Sequence, residues 1–232
     1  MSPPMGNFDW SSIINTSKTS FWIALGAITF NPTAWNIVAR NVQNQCLVVT
    51  QSRFQTDANS PLAEYRNKTI TRIFGGNARY GCYFLAVMIF SFGLLRDSIY
   101  HNALLEQPKM ALLPEPYMKI VPAVLVGLGQ LFVLTSTWAL GITGTFLGDY
   151  FGILMDHRVE GFPFNILRDP MYVGSTMTFV GGALLYERPA GLIVALYVYI
   201  VYMIALQYEG PFTDMIYSTR ANAQNSASKK EL

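Results

Sequence analysis

The sequence predicts an all-α fold: a polytopic membrane helix bundle with a Pro-kinked N-terminal helix, which either crosses or only dips into the membrane, and a C-terminal helical hairpin. Three observations predict it. Hydrophobic residues make up 51% of the chain and charged residues only 13%, against about 25% charged in an ordinary soluble domain. Five long apolar runs recur along the chain. A tight polar turn, Glu187-Arg188-Pro189, joins the last two.

A spanning helix needs roughly 20 mostly apolar residues. Thr19 to Ala39 is the first such run, interrupted by Pro32 in Phe30-Asn31-Pro32-Thr33. Proline removes a helix hydrogen bond and kinks the helix. Arg79 and Arg96 bracket the second run, which Ser98, Ile99 and Tyr100 extend into the interface. The third, Ile120 to Phe146, is the strongest, because no charge falls between Lys119 and Asp149. The fourth runs from Met171 to Tyr186 and the fifth from Pro189 to Tyr208, and together they form the hairpin. The chain thus divides into a polar N-terminal segment (1–18), a membrane domain (19–212) and a polar tail (213–232). Asn41 to Gly76 reads as a polar loop, with Arg53, Arg66, Lys68 and Arg72 set against Asp57 and Glu64.

Composition also excludes functions. A net charge of +2 argues against nucleic acid as a partner. Cys46, Cys82, His101 and His157 are too few for a disulfide framework or a structural zinc site, so no metal is expected. Met1 to Lys18 lacks the basic-then-apolar order of a signal peptide. Asn15-Thr16-Ser17 and Asn67-Lys68-Thr69 fit the glycosylation pattern, which matters only on a lumenal segment.

Three places draw attention as chemistry. Gly127-Leu128-Gly129, inside the third run, allows close approach of a ligand or of another helix, and from the spacing alone packing through small residues is the favoured explanation. The block Gly144 to Gly174 combines Asp149, Tyr150, Arg158, Arg168 and Asp169 with several glycines, Pro163 and Pro170. It cannot be one regular helix, and irregular backbone at membrane depth is tolerated only where protein or a polar cavity covers it. Tyr208-Glu209-Gly210-Pro211 ends the fifth run with a carboxylate, which suits a cation or a pair of hydroxyls.

Together these blocks resemble the phosphatidylethanolamine N-methyltransferase family. The likeness rests on Phe30-Asn31-Pro32, Trp35 to Arg40, Leu94-Leu95-Arg96-Asp97, Gln107-Pro108, Gly127 to Gln130, Leu140 to Leu154, Phe162 to Asn165, Arg168 to Tyr172 and Glu209 with Pro211-Phe212-Thr213. The resemblance implies S-adenosylmethionine as cofactor, a membrane phospholipid as substrate, phosphatidylcholine as product and the endoplasmic-reticulum membrane as location. The family's Gly-x-Gly cofactor motif maps onto Gly127, Leu128 and Gly129, and its Glu-Glu pair onto Glu209 and Gly210, so one carboxylate is missing here. Related membrane methyltransferases that act on isoprenylcysteine use an x-Pro-x-Tyr-x-Gly motif, which Pro170, Tyr172 and Gly174 match. Both assignments stay open. If the fourth and fifth runs both cross, Pro170 to Tyr172 share one bilayer face with Phe146 and Glu209, and the Gly127–Gly129 motif lies on the other.

The chemistry expected is nucleophilic attack by a lipid amine on an electrophilic methyl group. Asp149 and Glu209 are the candidate proton acceptors, Arg168, Arg158 and Tyr150 the candidate head-group contacts. Lys229 and Lys230 resemble a dilysine retrieval signal, which places the tail in the cytosol. The competing readings are a membrane methyltransferase acting on another substrate, such as isoprenylcysteine, and a non-enzymatic membrane protein.

Overall fold

The structure is a computed structural model. It describes residues 10–35, 74–151, 153, 155 and 159–228, and for residues 149, 150, 208–217 and 219–228 it describes the backbone alone. Cys46, Arg158, His157, Asn67 and the lysines at 229 and 230 lie outside the described residues.

Five helices account for the five runs, and no strand occurs among the described residues. α1 covers residues 19–35 and continues through Pro32. α2 is Ala78–Leu105, α3 Tyr117–Thr145, α4 Pro170–Leu185 and α5 Pro189–Ser228. Ala78–Leu105, Tyr117–Thr145 and Pro189–Gln207 are long and apolar enough to cross a membrane. α4 has 16 residues, about 24 Å at 1.5 Å per residue, short of the roughly 30 Å hydrocarbon core.

Two boundaries differ from expectation. α2 runs to Leu105, five residues past Tyr100, the last residue of the expected extension, so Arg96 and Asp97 lie inside the helix. α5 passes the expected boundary at Thr213 and reaches Ser228. Arg220, Ala221, Ala223 and Gln224 are polar or small yet favourable to helix, so the tail's polarity concealed its conformation. α3 carries one break, where Gly141 takes φ +66°, ψ 178°. That φ is costly for any residue with a Cβ.

The chain forms two compact units whose boundaries fall inside α1, α2, α3 and α5. The first contains residues 1–30, 93–136 and 162–200. In it α4 packs antiparallel on α3, Tyr197 and Thr29 share a hydroxyl–hydroxyl bond of 2.6 Å, and Gly191 lies against Ala183 and Leu104. One end of this unit is polar. The Asn15 amide donates to Gln107 Oε1 at 2.8 Å, the Arg188 guanidinium donates to the Gln107 carbonyl, and Lys109 pairs with Glu187 at 2.7 Å. Glu187 supplies the left-handed residue of the α4–α5 turn, φ +53°, and its carbonyl accepts from the Met110 amide at 2.9 Å.

The second unit contains residues 31–92, 137–161 and 201–232. Here Trp35 Nε1 donates to Asn31 Oδ1 at 2.6 Å, and the Trp35 ring meets Phe92 edge-on at 5.9 Å. Buried Cys82 donates to the Phe146 carbonyl at 3.7 Å. A short 3₁₀ turn, Gly148–Phe151, follows α3, and the Ile153 amide donates back to Gly148 at 2.9 Å.

Candidate functional site

The Gly127-Leu128-Gly129 motif sits on α3, and the helix divides it. Residues two apart on an α-helix point about 200° away from each other. Gly129 is buried, and Gly127 is exposed with nothing within 4 Å of where a Cβ would stand. Leu128 is 43% exposed. A Cβ on Gly129 would stand 2.5 Å from the Gly174 carbonyl oxygen and 2.7 Å from Thr178 Oγ1. The reverse holds as well: a Cβ on Gly174 would stand 2.5 Å from the Gly129 carbonyl oxygen and 3.0 Å from Phe132 Cβ. The two helices therefore touch backbone to backbone at this level, the close approach that small residues permit.

One turn-pair further along, Gly181 makes the same approach, its Cβ position 2.7 Å from Val126 Cγ2 and 3.1 Å from the Pro122 carbonyl. Gln130 Nε2 donates across the seam to Thr178 Oγ1 at 3.2 Å. The buried positions of α3, Pro122, Gly129 and Ser136, repeat every seven residues, matching the seven-residue step from Gly174 to Gly181. The sequence reading offered helix packing at Gly127–Gly129 but not its partners Gly174 and Gly181, which these two heptad spacings signal.

This register corrects one geometric expectation. Gly127 to Gly129 and the Pro170 segment are not on opposite bilayer faces: Gly129 and Gly174 are in contact. The expectation assumed that α4 crosses the whole bilayer from the level of Phe146. Instead, the register places the start of α4 level with Val133, in the middle of the α3 sequence. Pro170 is fully buried at the first turn of α4, where its missing N–H costs no intrahelical bond. Tyr172 is half-buried. Arg168 projects, its side chain 76% exposed, with Nε 3.9 Å from Asp169 Oδ2.

Asp149 and Tyr150 stand on the Gly148–Phe151 turn, and Glu209 and Gly210 lie within α5. All four belong to the second unit, whereas Gly127 to Gly129, Arg168, Pro170, Tyr172 and Gly174 belong to the first. The turn that carries Asp149 is tightly wound. A Cβ on Gly148 would stand 2.5 Å from the Thr143 carbonyl oxygen, and Leu147 has φ +58°. Only glycine fits at 148 without displacing that backbone. Among the described residues no group of three or more His, Cys, Asp or Glu stands close enough to hold a metal ion.

Comparison with known proteins adds identity to this geometry. A family model described as phospholipid methyltransferase matches residues 117–220, which takes in the α3–α4 seam, the Asp149 turn and Glu209. The chain is 51% identical to the phosphatidyl-N-methylethanolamine N-methyltransferase of Neurospora crassa, over 98% of each chain. It is 46% identical to the protein of that name from Saccharomyces cerevisiae, over 92% of each. It is 40% identical to the phosphatidylethanolamine N-methyltransferase of Homo sapiens, over 90% of this chain and 94% of that one. No solved structure matches.

Proposed function

We propose a reaction for this chain from one premise, that it belongs to the phospholipid methyltransferase family. It is a membrane enzyme, a phospholipid N-methyltransferase that methylates the amine head group of phosphatidylethanolamine derivatives and makes phosphatidylcholine. The observation that carries this reading is the identity, along nearly the whole chain, to a relative whose name specifies the monomethyl lipid. The monomethyl and dimethyl lipids are therefore its favoured substrates. The endoplasmic-reticulum membrane is the location this reading carries with it.

The methyl donor of this reading is S-adenosylmethionine, whose sulfonium supplies a methyl group that is already electrophilic. The residues at hand fit such a molecule unequally. Gly129 is occupied by α4, whereas Gly127 leaves open space where a Cβ would be. Gly127 and Leu128 thus offer the part of the Gly-x-Gly motif that a ligand can approach, while Gly129 and Gly174 hold the helix pair that presents it. Because Gly127 faces away from α4 and Pro170 is fully buried, the Pro170–Tyr172 segment is the alternative cofactor contact in this reading, not a second half of the same one. The Glu209 carboxylate and Gly210 backbone follow as contacts on α5, for a ribose or an amino group.

The protein's own task is to position the lipid amine and take its proton. An amine with a pKa of roughly 10 costs about 4 kcal/mol to neutralise at pH 7. A low-dielectric surrounding lowers that pKa, and a carboxylate accepts the proton. Asp149 and Glu209 fill that role in this reading. Arg168 holds the lipid phosphate in this reading as a charge-assisted donor, with Arg158 and Tyr150 proposed from the sequence alone as other head-group contacts.

The test is mass spectrometry of lipids after the purified protein, in vesicles containing monomethylphosphatidylethanolamine, receives methyl-labelled S-adenosylmethionine. Label in the dimethyl lipid and phosphatidylcholine is expected. Label confined to an isoprenylcysteine substrate offered in parallel would reassign the enzyme.

A further inference from the structure

α3 carries a carboxamide, Gln130, near its middle, thirteen residues after Tyr117 and fifteen before Thr145, in a helix long and apolar enough to cross a membrane. The hydroxyls beyond it are satisfied within their own helix. Thr135 Oγ1 donates to the Leu131 carbonyl and Ser136 Oγ to the Phe132 carbonyl, each at 2.6 Å. A carboxamide brings an acceptor oxygen and two N–H donors, so one contact does not satisfy it. Gln130 is exposed, and its partner among the described residues is Thr178, whose Oγ1 accepts from Nε2 at 3.2 Å.

That contact fixes which way the amide points. Thr178 Oγ1 spends its only hydrogen on the Gly174 carbonyl, at 3.0 Å. Toward Gln130 it can only accept, so Nε2 lies on the α4 side and Oε1 on the side away from it. The open edge of the amide thus combines an acceptor, Oε1, with the second N–H donor. Polar groups without partners in hydrocarbon are costly, and polar residues inside spans mark binding.

The surface beside that edge is bare. Gly127 stands three residues before Gln130, and residues so spaced are neighbours on a helix, about 5–6 Å apart at Cβ. Long side chains on a helix lean over the turn before them, which for Gln130 is the turn of Gly127. Nothing lies within 4 Å of where a Cβ on Gly127 would stand. A backbone without a side chain is a floor on which a flat ring can lie, with the amide at its rim. Depth does not exclude a polar ligand: in the same unit the charged pair Arg96–Asp97 reaches the level of Phe179, the residue after Thr178.

We infer that Gln130 reads the adenine base of the methyl donor. The base lies on the bare backbone at Gly127. Oε1 accepts from its 6-amino group and the second N–H donates to a ring nitrogen beside it, the paired contact by which a glutamine amide selects adenine. Thr178 is a positioning residue, because it aims the amide. The inference deepens the reading in which the donor approaches Gly127 and Leu128, and it rests on that reading.

The experiment measures binding by calorimetry, with no turnover involved, for full-length wild type, Gln130→Met and Thr178→Val in nanodiscs. The ligands are S-adenosylhomocysteine and its purine counterpart lacking the 6-amino group. Wild type prefers the adenine compound about tenfold or more, the discrimination a paired amide contact gives. Gln130→Met binds both alike, and Thr178→Val, whose amide is no longer aimed, falls between. The melting temperature of Gln130→Met stays within a few degrees of wild type, because Met has a similar length and volume. A wild type that binds both compounds alike overturns the inference, and so does a preference that survives in Gln130→Met. A Gln130→Met protein that keeps the preference and loses half its mass by light scattering would assign the amide to a second copy of the chain instead. Failure of the phospholipid methylation reading shows separately, as a wild type that labels no phospholipid in the mass-spectrometric assay.

Discussion

At the α3–α4 seam the sequence removes side chains; at Asp149 and Glu209 it sets carboxylates beside apolar spans. The seam works by absence. Gly129 and Gly174 each press a bare Cα against the other's carbonyl, and neither has room for one more carbon. The carboxylates work by presence, one on a tight turn and one on a long helix. The difference separates two kinds of motif residue: those that hold the scaffold and those proposed to serve the chemistry. Gly127 and Gly129, two positions apart in one motif, differ in the same way: Gly129 is packed against α4 and Gly127 faces open space.

The comparison breaks most sharply at Glu209. Glu209→Gln keeps the shape and removes the charge, so turnover should fall about 10²–10⁴-fold, the range for loss of an acid–base group. Its thermal unfolding should match wild type. A variant that unfolds early instead would move Glu209 to the scaffold side.

Gly129→Leu and Gly174→Leu come next. Each forces a side chain into backbone contact, and overpacking of this kind costs about 1–3 kcal/mol or more. Loss of methylation and loss of thermal stability should appear together, in contrast to Glu209→Gln. Normal melting in either variant would show that the helices separate without cost.

Gly127→Ala sharpens the same contrast in the opposite direction. Alanine is better than glycine in a helix interior by roughly 0.5–1 kcal/mol, and space is open at this position. Stability should hold or rise slightly, while KM for the methyl donor rises. An unchanged donor KM would remove Gly127 from the cofactor contacts. The smallest effect belongs to Lys109→Ala. Lys109 is 63% exposed, and exposed ion pairs contribute about 0–1 kcal/mol, so turnover should be unaltered and stability should change by less than that.

Most of the fold was legible because hydrophobic length is a strong signal. The fourth run, Met171 to Tyr186, appears as Pro170–Leu185, and the third, Ile120 to Phe146, as Tyr117–Thr145. Arg96 bounds the uncharged run but not the helix, which continues to Leu105. A guanidinium shielded by Phe179 and paired with Asp97 is carried inside the helix instead, and nothing local to Leu94-Leu95-Arg96-Asp97 announces a ring supplied from α4. The contact between Gly129 and Gly174 was hidden for a related reason. Register between two helices depends on how far the intervening segment carries the chain back, and Gly144 to Asp169 does not state that distance. The carboxylates, by contrast, were visible as residue types next to long uncharged runs, without any geometry.

The central claim is that this chain adds methyl groups to a phospholipid amine through carboxylates its own helices supply. The most direct measurement offers the unmethylated, monomethyl and dimethyl lipids separately, with labelled methyl donor, to wild type and to Glu209→Gln in the same vesicles. The account predicts label in the products of the monomethyl and dimethyl lipids with wild type, and loss of nearly all of it with the variant. Equal labelling by both proteins, or no label in any phospholipid with wild type, would contradict it.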